Sequence, residues 1–224
     1  MADASQPPNP VTQLPDYAIT RSLAVRRGRR LEYFTIAWNS AEAVAALLAG
    51  LFAGSIALVG FGLDSVIEVS SGAVLLWRLR AEHDPHRREH AEHRALRLVG
   101  VCFLALAAYV VFDSIKGILV REAPQESLFG IGVAIASLIA MPLLARAKRQ
   151  VARQLNSGAM RADSRQTDFC FYLSLILLAG LLLNALLGWW WADPVAALVM
   201  VPLIAHEGVE GLRGERCCDD RCCE

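Results

Sequence analysis

The sequence predicts an all-α polytopic membrane protein with a bundle of six transmembrane helices. Of the 224 residues, 55% are hydrophobic, and they gather in long blocks instead of alternating with polar residues, which is typical of membrane proteins. The 22 basic and 22 acidic residues are concentrated between these blocks. Because no basic stripe is present, we expect a lipid bilayer as partner and no nucleic acid.

Six apolar stretches define the expected spans, each close to the roughly 20 residues that cross a bilayer. They cover about 33–53, 55–77, 95–120, 128–145, 169–187 and 189–205. The first two stretches nearly touch, so we expect them to form a tight helical hairpin. The polar, Pro-rich and basic residues 1–30 are predicted to be disordered. Residues 31–207 form the membrane domain and residues 208–224 a short Cys-rich tail.

The basic residues predict the orientation of the helices. Twenty of the 22 lie before the first span, in the second or fourth connection, or after the sixth span, and only Lys116 and Arg121 fall on the other side. The positive-inside rule then puts both termini in the cytoplasm. We expect an integral protein of a bacterial plasma membrane.

The second span contains two acids, Asp64 and Glu68, four residues apart. On a helix this spacing puts both carboxylates on one face. An acid at the centre of a span costs about 2.5–3.5 kcal/mol on insertion scales, and like charges need a cation, a proton or a basic partner. We predict no central Lys or Arg in the spans, since Lys116 lies near an outer end with Asp113 as its partner. The pair therefore predicts a cation site.

The beginning of the fifth span offers a matching pair in "RADSRQTDFC". Gln166 and Cys170 repeat the four-residue spacing, so two facing helices could supply four donors to one tetrahedral ion. Carboxylate oxygens with a thiolate sulfur suit Zn²⁺ better than Mg²⁺ or Ca²⁺. The alternative is that such polar residues join helices by hydrogen bonds. Possible supporting polar residues are Asn39, Glu42, Asp113 and Asp163.

Two further groups of residues could bind metal. The tail carries Cys217, Cys218, Cys222 and Cys223, which suit Zn²⁺ or Cu⁺. It could hand ions to the membrane site, bridge a dimer through metal, be redox-sensitive or lipid-modified, or have no role. The second connection carries His83, His86, His90 and His93 beside Asp84. These could form an extra metal site, although a solvated, charged connector is the alternative.

Three segments resemble the cation diffusion facilitator family, also called cation efflux proteins. "GSIALVGFGLDSVIEVSSG" is similar to the family's second helix, with Asp64 and Glu68 on its two metal ligands. "RADSRQTDFC" resembles the start of its fifth helix, where Gln166 stands in place of the usual His and Cys170 in place of the usual Asp. "WWWADPVAALVM" resembles the opening of its sixth helix. The resemblance covers residues 30 to 210.

The resemblance implies a transporter of divalent metal cations. It most directly implies zinc efflux from the cytoplasm by proton antiport, with Asp64, Glu68, Gln166 and Cys170 as the transport site. Family members usually carry a cytoplasmic domain after the sixth helix. We expect this chain to lack it and to form any homodimer through its membrane domain, where Gly50–Gly54 and Gly60–Gly62 offer small-residue packing faces.

Two functions are therefore expected, in order. The first is transport of Zn²⁺ or a similar cation; the alternative is a non-transporting buffer or sensor that binds metal in the membrane and at its thiol tail. We expect no enzyme and no organic cofactor, since G-x-S-x-G, H-E-x-x-H and phosphate-binding Gly loops are not found.

Overall fold

The computed structural model describes residues 10–80, 85–121, 124–155 and 157–213, with only the backbone described at 10–21, 78–80, 85–96, 158–159 and 162. In this part of the chain the structure consists of six α-helices. They are α1 (Pro10–Ala53), α2 (Ile56–Arg80), α3 (Pro85–Val120), α4 (Leu128–Leu155), α5 (Gly158–Leu187) and α6 (Ala192–Arg213). Each contains a stretch long and apolar enough to cross a membrane, which confirms the predicted six spans.

The bundle is organised around α2. This helix packs against α1, α3, α5 and α6, while α3 pairs mainly with α6 and α4 with α5. Leu58 and Phe61 of α2 are fully buried with Leu177 of α5 and Met200 of α6. Large apolar side chains such as Phe52 and Leu119 point outward and are exposed, as expected for helices that face lipid acyl chains. The acids of α2 are thus carried into the centre of the bundle.

The helices are longer than the apolar stretches suggested. The predicted disorder is wrong for residues 10–30, because α1 already begins at Pro10. Proline is well suited to the first turn of a helix. Residues 21–34 of α1, "RSLAVRRGRRLEYF", are mostly good helix formers, and Ala24 is buried. The division of the chain into three regions stays a prediction.

The predicted connection between the fourth and fifth spans is also largely helical. Helix α4 continues to Leu155 and α5 begins at Gly158, with the Ser157 hydroxyl as its N-cap. Basic residues such as Arg and Lys are good helix formers, so the helices continue beyond the hydrocarbon-spanning stretch. As a result, Lys148 and Asp163 lie on packed helices and not in a loop.

Glycines let neighbouring helices approach closely within the chain. A Cβ on Gly50 of α1 would lie 2.8 Å from the Val59 side chain, and one on Gly62 of α2 would lie 3.0 Å from the backbone of Leu47. Gly60 faces Val110 of α3 in the same way. The expectation that these glycines form a dimer face is therefore wrong for Gly50, Gly60 and Gly62, since their close contacts are used inside one chain.

The hairpin between α1 and α2 is closed by a turn and an unusual cap. Gly54 has a φ of +65°, a left-handed conformation that glycine adopts without strain. The amide groups that begin α2 are bound by Asp193, which lies in the first turn of α6. Its Oδ2 accepts from the Ile56 amide at 2.8 Å and its Oδ1 from the Ser55 hydroxyl at 2.5 Å. An acid here complements the positive end of the α2 dipole.

Candidate metal site

Asp64 and Glu68 of α2 meet Cys170 of α5 in the interior of the bundle. The Cys170 Sγ lies 2.8 Å from Glu68 Oε2 and 3.4 Å from Asp64 Oδ2. All three side chains are buried. Two carboxylates one turn apart therefore share a single thiol donor from the facing helix.

The spacing of these atoms suits a tetrahedral cation. Zn–S and Zn–O bonds of about 2.3 and 2.0 Å place sulfur and oxygen about 3.5 Å apart on one tetrahedral ion. The Cys170–Asp64 distance of 3.4 Å already matches. The Cys170–Glu68 distance of 2.8 Å would have to lengthen by about 0.7 Å, which a rotation of the Glu68 side chain can supply. Binding would displace the thiol proton.

Gln166 is brought to α2 but one turn away from this cluster. Its Oε1 accepts a hydrogen bond from the Ser71 hydroxyl at 3.0 Å. Its Nε2 is buried without a hydrogen-bond partner among the described residues. The structure thus joins three of the four predicted ligands directly and places the fourth beside them.

Further polar side chains surround the cluster. The buried Thr167 hydroxyl lies 3.4 Å from Glu68 Oε1. Glu42 of α1 accepts from the Ser65 hydroxyl at 3.0 Å. Asn39 is fully buried one turn before Glu42, and its amide group has no hydrogen-bond partner in the described part of the chain. Glu42 and Asn39 therefore extend the polar interior on the side of α1.

The other two predicted supporting residues lie elsewhere. Asp113 accepts a hydrogen bond at 3.3 Å from Tyr109 on its own helix, in an exposed setting. Asp163 instead forms a buried ion pair with Lys148 of α4, at 2.7 Å. Lys148 Nζ also lies 3.7 Å from Glu32 Oε1 of α1, with both side chains fully buried. We call Glu32, Lys148 and Asp163 the charge triad.

The prediction of no central Lys or Arg in the spans did not anticipate the charge triad, which places a buried lysine near the acids. Lys148 lies in the part of α4 that continues beyond the apolar stretch, where it is fully buried, and its charge interacts with that of Glu68. One signal in the sequence could have found it. Lys148 falls in register with Met141, Leu144, Ala145 and Val151, the buried stripe of α4, at the spacing of one helix face.

The remaining predicted residues are only partly visible. His86, His90 and His93 lie at the beginning of α3, and their spacing of four and three residues puts them on one helix face. Their side chains, His83 and the tail residues Cys217, Cys218, Cys222 and Cys223 lie outside the described part of the structure. Both extra metal sites stay predictions.

The chain resembles known proteins over most of its length. Residues 33–213 match the cation efflux transmembrane domain. The Uncharacterized transporter sll1263 of Synechocystis is 27% identical over 74% of this chain and 56% of its own length. The Cation-efflux pump FieF of Shewanella oneidensis is 25% identical over 73% and 57%. Transmembrane protein 163 of Xenopus laevis is 32% identical over 59% and 47%. The chain spans about half the length of these curated relatives.

Proposed function

The chain belongs to the cation efflux family, and on that premise we propose that it carries a divalent metal cation across the membrane. The relatives described as a transporter and as cation-efflux pumps support this class of function. The observation that carries the proposal is the contact of Cys170 with both Asp64 and Glu68 in the centre of the six-helix bundle.

The donor set favours Zn²⁺ as the transported ion. Two carboxylates and a thiolate supply oxygen and sulfur ligands, which suit zinc and softer ions better than Mg²⁺ or Ca²⁺. Gln166 could add a fourth oxygen, or water could. We propose Asp64, Glu68 and Cys170 as principal ligands, with Gln166, Glu42 and Asn39 in support.

Proton exchange follows from the same chemistry. The ion must displace protons from the thiol and from any protonated carboxylate, so protons and metal compete for one site. A proton gradient directed into the cell would then drive the ion outward while helices rock around the midplane site. The distribution of Lys and Arg supports both termini in the cytoplasm. The proposed location is the plasma membrane of a bacterium. A homodimer through the membrane domain is part of the same proposal.

A metal buffer or sensor is the second candidate. It is favoured by one observation: the described hydrogen bond of Gln166 goes to Ser71 and not to the cluster. Such a protein would bind the ion in the membrane without passing it on.

Flux into proteoliposomes that hold a zinc dye tests the proposal, with an imposed pH gradient. We expect Asp64→Asn to reduce zinc flux at least tenfold, because it removes an anionic ligand at the ion. Asp113→Asn is the matched control, since Asp113 lies on α3 away from the cluster, and should transport normally. Wild-type protein that binds zinc stoichiometrically without flux would instead support the buffer or sensor, and unchanged flux in Asp64→Asn would contradict the site.

A further inference from the structure

A second group of metal-binding side chains lies at the end of α6. His206, Glu207 and Glu210 each present a ligand atom, and these atoms all lie within 4.8 Å of one another. The His206 Nε2 is 3.8 Å from Glu210 Oε1. The three residues occupy one turn of the helix, at i, i+1 and i+4, and none of them belongs to the predicted transport site. We call them the α6 cluster.

The α6 cluster runs from the surface toward the buried site. The side chains of His206 and Glu210 are 57% and 38% exposed, and Glu207 is partly buried. The charge of Glu207 interacts with those of Asp64 and Glu68. The His206 ring also lies against Phe169, with centroids 5.8 Å apart. Phe169 directly precedes Cys170, so the cluster borders the transport ligands through both α5 and α6.

The electrostatic environment of the α6 cluster is compatible with a bound cation. Glu207 interacts with Arg165 as well as with Glu210. The Glu207 carboxylate thus interacts with a guanidinium and with a second carboxylate, and both glutamates lie close to a histidine. One imidazole nitrogen and two carboxylate oxygens are a donor set used by Zn²⁺ and related divalent ions, with positions left for water.

We propose that the α6 cluster is a loading site, which binds the hydrated divalent cation at the membrane surface before it passes to Asp64, Glu68 and Cys170. This inference rests on the proposed transport function. In the proposed orientation the cluster faces the cytoplasm, where the ion would be collected. Because two of its ligands are accessible to water, the site should bind weakly and release the ion readily.

The first test measures the kinetics of zinc flux. We expect Glu210→Gln and His206→Gln to raise the KM for zinc at least threefold while the maximal rate stays within a factor of two, since capture is weakened and the transport ligands are intact. Glu126→Gln is the matched control, because Glu126 is an exposed carboxylate in the connection before α4, and its KM should equal that of wild type. Equal KM values in all three variants would overturn the proposal.

The second test does not depend on transport. Co²⁺ is titrated into the purified chain carrying Asp64→Asn, with the four tail cysteines replaced by serine. We expect visible absorption from Co²⁺ bound by nitrogen and oxygen, and an at least fivefold weaker affinity after Glu210→Gln is added but not after Glu126→Gln. If wild type shows no flux but this difference appears, the α6 cluster binds metal and only the transport function fails. No difference between the two variants would overturn the cluster as a metal site.

Discussion

Two groups of buried charge lie close together in this protein, and they are balanced in different ways. In the charge triad, Lys148 forms ion pairs with Asp163 at 2.7 Å and with Glu32 at 3.7 Å. At the candidate metal site, the described hydrogen bonds of Asp64 and Glu68 come from neutral donors, the Cys170 thiol and the Thr167 hydroxyl. The first group carries its own cation, whereas the second depends on an ion or on protons that can leave.

This difference separates a structural role from a transport role. A cation tethered to α4 cannot diffuse away, so the charge triad joins α1, α4 and α5 permanently. Lys148 interacts with Glu68 without forming an ion pair, since its described ion pairs go to Glu32 and Asp163. Buried acids without an ion pair are costly in a membrane protein, and they are therefore suited to an ion that arrives and departs. The two groups should respond differently when a single charged or thiol side chain is removed.

Removal of the tethered cation should have the largest effect on stability. We expect Lys148→Met to lower the free energy of unfolding by about 3–5 kcal/mol, the usual result of leaving one partner of a buried ion pair uncompensated. Thermal unfolding in detergent measures the loss. Most of it should return in the variant that also carries Glu32→Gln and Asp163→Asn, which leaves the site uncharged.

Lys116→Met serves as the control for this prediction. Lys116 lies on α3 and is exposed, so its replacement should change the stability by no more than about 0.5 kcal/mol. If Lys148→Met and Lys116→Met lowered the stability equally, the charge triad would not have the structural role that distinguishes it from the metal site.

Removal of the thiol should change metal binding and leave the fold intact. We expect Cys170→Ser to weaken zinc binding about tenfold, or about 1.4 kcal/mol, because a soft sulfur donor is lost. The loss should be larger for Cd²⁺ and smaller for Mn²⁺, following ligand softness. Competition against a zinc dye measures all three ions. Cys102→Ser is the matched control, since Cys102 is exposed on α3; if it weakens zinc binding equally, Cys170 is not a ligand.

The sequence predicts the metal site better than it predicts the charge triad, for a physical reason. The six spans and the spacing of Asp64 and Glu68 depend on local patterns, namely the length of apolar runs and the period of the helix. Lys148 lies in a run of basic residues that reads as a solvated connection. Its burial depends on α1 and α5 packing against α4, which no local pattern contains.

Other differences have a similar origin. The length of an apolar stretch measures the hydrocarbon crossing and not the full helix, so the ends of α1, α4 and α5 extend beyond the predicted spans. The glycines of α1 and α2 signal close packing, but the sequence does not show whether the neighbour is in the same chain. The contact between Cys170 and the two acids could be anticipated from the matched four-residue spacing, whereas the contact of Gln166 with Ser71 could not.

Asp193 balances its charge in a third way and should show the smallest effect. It is buried and accepts hydrogen bonds from the Ser55 hydroxyl and the Ile56 and Ala57 amides, so the beginning of α2 takes the place of a cation. We expect Asp193→Ala to lower the stability by about 1 kcal/mol, as for the loss of a helix cap. Asp193→Asn should lose less, because its amide oxygen still accepts a hydrogen bond.

Zinc affinity distinguishes this acid from those of the metal site. The hydrogen-bond donors of Asp193 belong to the chain itself and not to a mobile ion. Neither Asp193→Ala nor Asp193→Asn should therefore change zinc binding in the dye competition assay, whereas Asp64→Asn should. If Asp193→Ala weakened zinc binding as strongly as Asp64→Asn, the position of α2 would control the metal ligands and the hydrogen bonds of Asp193 would belong to the site. If only stability changes, the comparison of the buried acids holds. A buried acid of this bundle then binds a mobile ion only where it is paired with neither a lysine nor a helix N-terminus of the chain.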